Sequence, residues 1–259
     1  MKVLYTGSAG RMAAVIREGL SSRYERVVLY QRTAASDKLY ENEEVVVGDL
    51  ADLDTLTAAA AGIDAIVHLG GKADESDFAE ILDSNIIGTY NVYEAARRAG
   101  VRRVVFASSN HVVGFYPAGQ PIDEDAPPRP DTHYGASKVY GEALGRLYHD
   151  KWGLEVVSVR IGIFRERPTD RRQLALWLSP RDSIQLFARS IEADGIGYVV
   201  SYGSSANRDA WWDSTRSWRL LGYQPQDDAA DYSSEVPDAP DPQHYGGVFT
   251  ADDYKGGVW

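Results

Sequence analysis

Two side chains able to move a proton stand four residues apart, Tyr134 and Lys138, in the stretch DTHYGASKVYGEALGRLYHD. On a helix that spacing puts both on one face, one turn apart. An ammonium beside a phenol favours the phenolate, because the opposite charge stabilises the ionised form. The tyrosine would then exchange a proton with a substrate hydroxyl near neutral pH. The same spacing also suits a packed ring and a solvated charge, so the pair needs support from the rest of the chain. Two stretches supply it. VRRVVFASSNH ends in four polar residues, Ser108, Ser109, Asn110 and His111, and TGSAGRMA is a glycine-rich turn near the N-terminus.

These groups must be carried by a scaffold, and the hydrophobic pattern indicates which. KVLYT reads as a buried strand, followed at once by the glycine turn and a helical pattern with Val15, Ile16 and Leu20. Gly7 permits the tight turn, Gly10 lets backbone approach a pyrophosphate, and the helix N-terminus offers free N–H groups. Ala13 stands at the third glycine position of the usual fingerprint, where a methyl group still allows close packing.

RVVLY and EVVVG read as the second and third strands, and Asp49 to Asp52 cap and open a helix. DAIVHLGG is a fourth strand, SNIIGTYNVYEAARRAG a long amphipathic helix stopped by Gly100, VRRVVFASSNH a fifth strand and LEVVSVRIGIF a sixth. Beyond it, SIQLFARSIEAD reads as a helix, YVVSYG as a strand and WWDSTRSWRLLGYQPQD as a helix ended by Gly222 and Pro225.

Strands alternating with helices predict an α/β fold, a Rossmann-type doubly wound parallel sheet with a small C-terminal substrate-binding lobe. Residues 1–162 form the dinucleotide-binding region with the Tyr134 helix, and 163–259 mainly the lobe and an acidic tail, in one compact unit. Ligands bind such sheets at the carboxyl ends of the strands, where Gly7, Gly70 and Ser109 all fall.

Composition sets the outer limits. A chain of 259 residues with 44% hydrophobic composition suffices for one large domain. The net charge of −11 argues against nucleic acid as a partner. Absence of cysteine removes disulfides, thiolate chemistry and sulfur metal sites, and the five His show no metal-ligand spacing. No apolar run reaches membrane-span length, and MKVLYTGSAG enters a strand without a charged-then-apolar leader, so the expectation is a soluble cytoplasmic protein. Residues 223–259 carry eight Asp/Glu and one Lys and read as a solvated, loosely ordered tail laid over the body.

With the glycine turn, Ser109 at a strand end and YxxxK on a later helix, the sequence resembles the extended short-chain dehydrogenase/reductase superfamily, and within it the uronate dehydrogenases. HLGG, NIIGTYNVYEAAR, VVFASSNHVVGFYP, RPDTHYGASK, VRIG, WLSPRD, SANRDAWWD, LGYQPQD and HYGGVF carry the resemblance over most of the chain. It extends to archaeal sugar-phosphate dehydrogenases. It implies that Ser109 and Tyr134 hold the reacting hydroxyl, that Lys138 binds the nicotinamide ribose, and that Asn110, His111 and Arg172 contact the sugar. Gly7, Gly10, Arg11, Met12, Gln31, Arg32, Asp49, Leu50, Leu69, Gly70, Gly71, Tyr134, Lys138 and Ile161 would line the cofactor. Two further substrate-contacting serines of the family correspond to Ala73 and Ile163 here, a departure that bears on the substrate more than on the reaction. Superfamily members commonly pair through helices like NIIGTYNVYEAAR and that of Tyr134, so a homo-oligomer is expected.

The end of the second strand is a second departure. An NAD-selective fold usually places Asp or Glu there, and the uronate dehydrogenases carry Asp at the position of Gln31. Gln31 is neutral, and Arg32 could supply a planar cation to a 2′-phosphate, with Thr33 adding a hydroxyl. This predicts that NADP is accepted and preferred, with NAD an open alternative.

Purely structural uses compete for several of these residues. Ser108 and Ser109 could cap a strand end, and Asn110 and His111 could form a buried polar pair satisfying loop backbone. His68 is read as packing in or near the sheet, Arg165, Arg167 and Arg171 as a solvated face, and Trp211-Trp212 as core. Asn85 would either bond helix-internal backbone or, as the superfamily implies, support the active-site loop. Three functions compete: a dehydrogenase oxidising the anomeric hydroxyl of an anionic hexose derivative (a uronate first, a sugar phosphate second) to a lactone; a nucleotide-sugar epimerase or dehydratase; and a non-catalytic cofactor sensor. Only about 100 residues follow VRIG, and the tail is acidic. Both features disfavour a diphosphate-linked sugar, and a sensor need not keep Ser109, Tyr134 and Lys138 together.

Overall fold

A computed structural model describes residues 1–34 and 38–254. The strands are β1 (Lys2–Thr6), β2 (Arg26–Gln31), β3 (Glu43–Val47), β4 (Ala65–His68), β5 (Arg103–Ser109), β6 (Glu155–Ile161), β7 (Ile163–Phe164), β8 (Trp177–Leu178) and β9 (Tyr198–Gly203). Seven form one sheet in the order β3-β2-β1-β4-β5-β6-β9, every pair parallel. β7 and β8 form a separate two-stranded ribbon. The helices are α1 (Arg11–Gly19), α2 (Leu53–Ala59), α3 (Phe78–Ile81), α4 (Gly88–Ala99), α5 (His133–Trp152), α6 (Arg171–Leu176), α7 (Pro180–Glu192) and α8 (Thr215–Leu221). None among the described residues is long and apolar enough to cross a membrane.

The central strands are apolar along their length because both faces are covered. Side chains alternate across the sheet. Val3, Tyr5, Val27 and Leu29 pack under Ile16 of α1 and Leu186, Phe187 and Ile191 of α7. Leu4, Val28, Ile66 and Phe106 pack under Leu56 of α2, Val92 and Tyr93 of α4 and Leu144 of α5. A third cluster, with Val112, Val113, Leu176, Tyr202, Trp211, Trp212 and Tyr245, builds the small lobe beyond the carboxyl edge.

The structure revises several boundaries. The division after residue 162 does not coincide with a break in the sheet: β9 returns to pair with β6, and α7 packs in the same core as α1. The sixth strand is interrupted at Gly162, where a Cβ would lie 2.0 Å from the Leu176 carbonyl oxygen, so the chain leaves the sheet there. The Trp211-Trp212 pair precedes its helix; Trp211 bonds Ile122 across a bridge to the lobe, and the helix is only α8, ended by Gly222 in the left-handed region. The helix of Asn85 opens in a wide π-type turn over Leu82–Ile87 before α4. The tail is not loosely laid on: Tyr245 is fully buried, with its hydroxyl donating to the Gln120 and Trp211 carbonyls. Residues 255–259 of that tail lie outside the described residues.

Candidate active site

The Tyr134 helix begins where Thr132 accepts a hydrogen bond from Gly135 N at 2.8 Å. Glycine at 141 lets the helix lie almost on the sheet: a Cβ there would reach 2.3 Å from the Phe106 ring. A buried charge cluster then fixes the helix axially. Arg160 of β6 grips both carboxylate oxygens of Glu142 at 2.9 Å, and Ser108 donates to Glu142 at 2.6 Å. Ser108 therefore anchors the helix, whereas Ser109, next in the alternation, belongs to the other face and the site.

Ser109, Tyr134 and Lys138 are all buried at the carboxyl edge. Ser109 Oγ accepts from His111 N at 3.2 Å and donates toward Asn110 Oδ1 at 3.3 Å. The Lys138 ammonium lies 5.4 Å from the Tyr134 ring centroid and 5.1 Å from that of Phe106. It pairs with no carboxylate among the described residues. Burial pushes its pKa down to about 8. The expected depression of the tyrosine is not found: its surroundings favour the neutral phenol. Burial pushes Tyr134 up to about 12; the Ser109 hydroxyl lies against the phenol and works the other way, while Asp74 and Asp131 add to the rise. The reason is geometric: Lys138 covers the ring face, and desolvation penalises both charged forms.

Two groups of the lobe side keep unused hydrogen-bonding capacity. Asn110 Nδ2 is buried without a hydrogen-bond partner among the described residues, and so is one guanidinium nitrogen, Nη2, of Arg172. Arg172 Nε donates to the Tyr245 carbonyl, no carboxylate pairs with Arg172 among the described residues, and burial lowers its pKa. Asp131 lies near enough to act on that guanidinium, and the same Asp131 bonds His111 Nδ1 at 2.8 and 2.9 Å. The His111 ring meets Tyr134 edge-on at 5.8 Å and Phe249 at 4.8 Å. Ala73 is exposed on a short loop pinned at both ends. Asn85 bonds the Lys72 backbone at 2.8 and 3.1 Å and reaches Ser137 of α5, and Glu75 accepts from Tyr134 N at 2.7 Å and His133 N at 3.2 Å. Asn85 thus supports the loop beside the site rather than its own helix. Ile163 packs against the lobe cluster in the β7–β8 ribbon.

The nucleotide side is built from the turn after β1. Gly7 has φ 68°, and a Cβ there would lie 2.6 Å from Gly70 N, so the β1 and β4 ends approach as only glycine allows. Leu69 and Gly70 line that junction, Leu50 closes on Gly70, and Gly71, in the left-handed region, faces Asn85 instead. Met12 packs into the core under the turn, and Arg11 crosses to the Phe164 carbonyl at 2.9 Å, near Ile163 rather than along the turn. Gln31 at the end of β2 accepts from Ser8 Oγ at 2.6 Å and donates to the Thr33 carbonyl at 2.9 Å. Arg32 is exposed beside it. Asp49 is exposed and caps its turn through Ala51 N, and Ile161 ends β6 opposite Ser109. The cradle and the carboxylate-free Lys138 suit an anionic dinucleotide on this edge.

The structural readings of other residues hold. His68 is buried between Thr6 (2.7 Å) and Thr89 (3.2 Å), and burial pushes its pKa down to about 3. Trp211 and Trp212 are buried, Trp212 stacked on Tyr202 at 4.5 Å. Arg165, Arg167 and Arg171 are exposed, and the latter two pair with Glu235 and Asp241. Asp131, Glu75, Tyr245 and Phe249 were not singled out from the sequence. The available signals were the Asp beside the helix cap in RPDTHYGASK and the HYGGVF segment.

A parallel sheet with a glycine cradle at its centre, and Ser, Tyr and Lys gathered at the same carboxyl edge, defines a dinucleotide-dependent Rossmann enzyme. The sequence model of the NAD dependent epimerase/dehydratase family matches residues 3–164, and the chain belongs to that family. It is 42% identical over 262 residues to a uronate dehydrogenase of Pseudomonas putida, covering 100% of this chain and 95% of the relative. An NAD-dependent glucose-6-phosphate dehydrogenase of Haloferax volcanii is 35% identical over 252 residues, covering 90% and 96%. The structure of an Agrobacterium tumefaciens uronate dehydrogenase mutant complexed with NAD superposes with TM-score 0.91 at 42% identity, covering 96% of each chain.

Proposed function

We propose that this protein is a soluble, cytoplasmic NAD(P)-dependent dehydrogenase that oxidises the anomeric hydroxyl of an anionic hexose derivative to a lactone, with a uronate as first substrate and a sugar phosphate second. The observation that carries this reading is half-buried Arg172, whose Nη2 is buried with no hydrogen-bond partner and whose guanidinium pairs with no carboxylate among the described residues, in a chain that also gathers Ser109, Tyr134 and Lys138 at one sheet edge. Asp170 and Asp131 act on the Arg172 guanidinium only through space, so its buried Nη2 lacks an acceptor that a substrate anion would supply. Similarity to the Pseudomonas putida uronate dehydrogenase supports the uronate, and similarity to the Haloferax volcanii glucose-6-phosphate dehydrogenase supports the phosphate.

The glycine turn of Gly7 and Gly10, with Gly70 and Lys138, would hold an oxidised dinucleotide, which would supply the hydride acceptor for the anomeric carbon. Tyr134 Oη, once ionised to the phenolate that the Lys138 charge and a bound nicotinamide cation would stabilise, takes the anomeric hydroxyl proton, and Ser109 Oγ donates to the oxygen it leaves. Lys138 keeps a positive charge over the Tyr134 ring and stands at the ribose side. Arg172 grips the carboxylate or phosphate, and Asn110 Nδ2 donates to the sugar. Exposed Phe78, Leu82, Ile87 and Tyr90, together with Leu147 and Trp152 of α5, support a homo-oligomer built through these helices.

NADP is the preferred cofactor in this reading. Gln31 carries no charge to repel a 2′-phosphate, its amide is engaged by Ser8 and the Thr33 carbonyl, and Arg32 is exposed at the same strand end. The test is to follow reduced-cofactor absorbance with NAD and NADP on free uronates, aldoses and sugar phosphates, repeated with a Gln31→Asp, Arg32→Ala variant. Net reduction on a uronate is expected, with the variant shifting kcat/KM toward NAD by about one to two decades. No net reduction on any sugar would favour an epimerase or sensor, and an NAD preference unchanged in the variant would remove the role of this strand end.

A further inference from the structure

Asp131 has the most constrained carboxylate in the site. Its side chain is fully buried, and a buried carboxylate needs donors. Its hydrogen bonds among the described residues come from two side chains, His111 Nδ1 and Thr132 Oγ1 (3.1 Å). Three glycines from separate segments crowd it. A Cβ at Gly114 or at Gly246 would lie 2.0 Å from Oδ2, and one at Gly135 would lie 3.2 Å from Oδ1 and 2.5 Å from the His111 carbonyl oxygen. The carboxylate therefore cannot turn away from the imidazole. Gly246 also brings in the C-terminal segment, which bonds Gly114 through its own N–H at 2.8 Å and carries the Tyr245 carbonyl that receives Arg172 Nε.

The opposite nitrogen of the ring is uncommitted. His111 Nε2 bonds to nothing among the described residues, the side chain keeps 12% exposure, and the ring edge meets Tyr134. The hydrogen bond made by one imidazole nitrogen sets the protonation of the other. We propose that Asp131 is a positioning residue for sugar recognition: it holds His111 as the Nδ1–H tautomer, so that bare Nε2 accepts a hydrogen bond from a sugar hydroxyl. This rests on the proposed sugar substrate and divides the labour within it. His111 reads a hydroxyl and Arg172 reads the anion, because a bare imidazole nitrogen has no proton to offer a carboxylate.

The test combines a proton readout with kinetics. Histidine labelled with ¹⁵N in the full-length protein at about pH 8.5, with His111 assigned by its loss in His111→Gln, should show a protonated Nδ1 and a bare Nε2. Asp131→Asn, which keeps the shape, should scramble or invert that tautomer. It should raise the sugar KM about 10- to 100-fold, the scale seen when the carboxylate behind a metal-ligating His is removed, and leave dinucleotide affinity within about twofold. In the His111→Gln background the same change should alter KM less than about threefold, since groups acting through one contact are not additive. An Nε2–H tautomer or an imidazolium in the wild type would overturn the proposal. So would an equal KM rise in the His111→Gln background. Should the wild type oxidise no sugar, the functional reading falls, and the wild-type tautomer alone decides whether Asp131 positions His111.

Discussion

Replacing Arg172 by alanine separates reading of the sugar's charge from reading of its ring. In the structure Nε is already engaged by the Tyr245 carbonyl, and Nη2 is buried without a hydrogen-bond partner among the described residues. The anion therefore gains chiefly the Nη edge of the guanidinium, not a full fork. A charge-assisted hydrogen bond contributes roughly 1.5–3 kcal/mol, and truncating one side of a desolvated charge pair costs about 2–5 kcal/mol. The overlap, about 2–3 kcal/mol, corresponds to a loss of about 30- to 150-fold in kcat/KM on a uronate. On the aldose with the same ring but no carboxylate the loss should stay within about threefold. The assay is initial-rate reduction of the cofactor on both sugars with one enzyme preparation, alongside its melting temperature, because the alanine also removes the bond that holds Tyr245. Equal losses on the two sugars would refute the reasoning and leave Arg172 as a brace for the C-terminal segment.

Tyr134→Phe should lower turnover by at least about 10²-fold, the scale of a positioned base, while dinucleotide affinity by fluorescence titration is kept; near-native turnover would remove the assigned role. Lys138→Met should inactivate yet stabilise. The folded pKa of about 8 lies below the ordinary lysine value of 10.5, so the charged lysine costs stability fully below pH 8, and the cost vanishes as pH rises to 10.5. Removing it should gain up to about 3 kcal/mol at pH 7, read as a raised denaturant midpoint that converges with wild type near pH 10.5. Glu142→Gln breaks the buried grip of Arg160 and should cost about 3–5 kcal/mol of stability, measured by denaturant unfolding. A loss below about 1 kcal/mol would show that the cluster does not fix α5.

Local pattern determined much of this protein. The strands carry apolar runs that only a sheet covered on both faces can bury, so their alternation with helices implied a parallel Rossmann sheet. Gly7 was legible because a strand-to-helix turn at close backbone approach excludes a side chain, and the Tyr134–Lys138 face because helix geometry fixes a four-residue spacing. Ser109 followed from its place at a strand's carboxyl end. Other features were settled by contacts far apart in sequence. Strand β9 pairs with β6 after a long excursion, which no local period encodes. The upward shift of Tyr134 depends on how deeply α5 sinks into the edge and on Asp74 and Asp131 lying near, neither of which spacing specifies. The acidic tail reads as solvated from composition, yet Tyr245 is buried and Phe249 meets His111 because the lobe offers them a closed apolar surface. Asp131 looks like an ordinary loop acid beside a helix cap. Only the fold brings Gly114, Gly135 and Gly246 around it and makes its one imidazole partner indispensable, since a charge removed from water must be met by whatever donors the tertiary structure delivers.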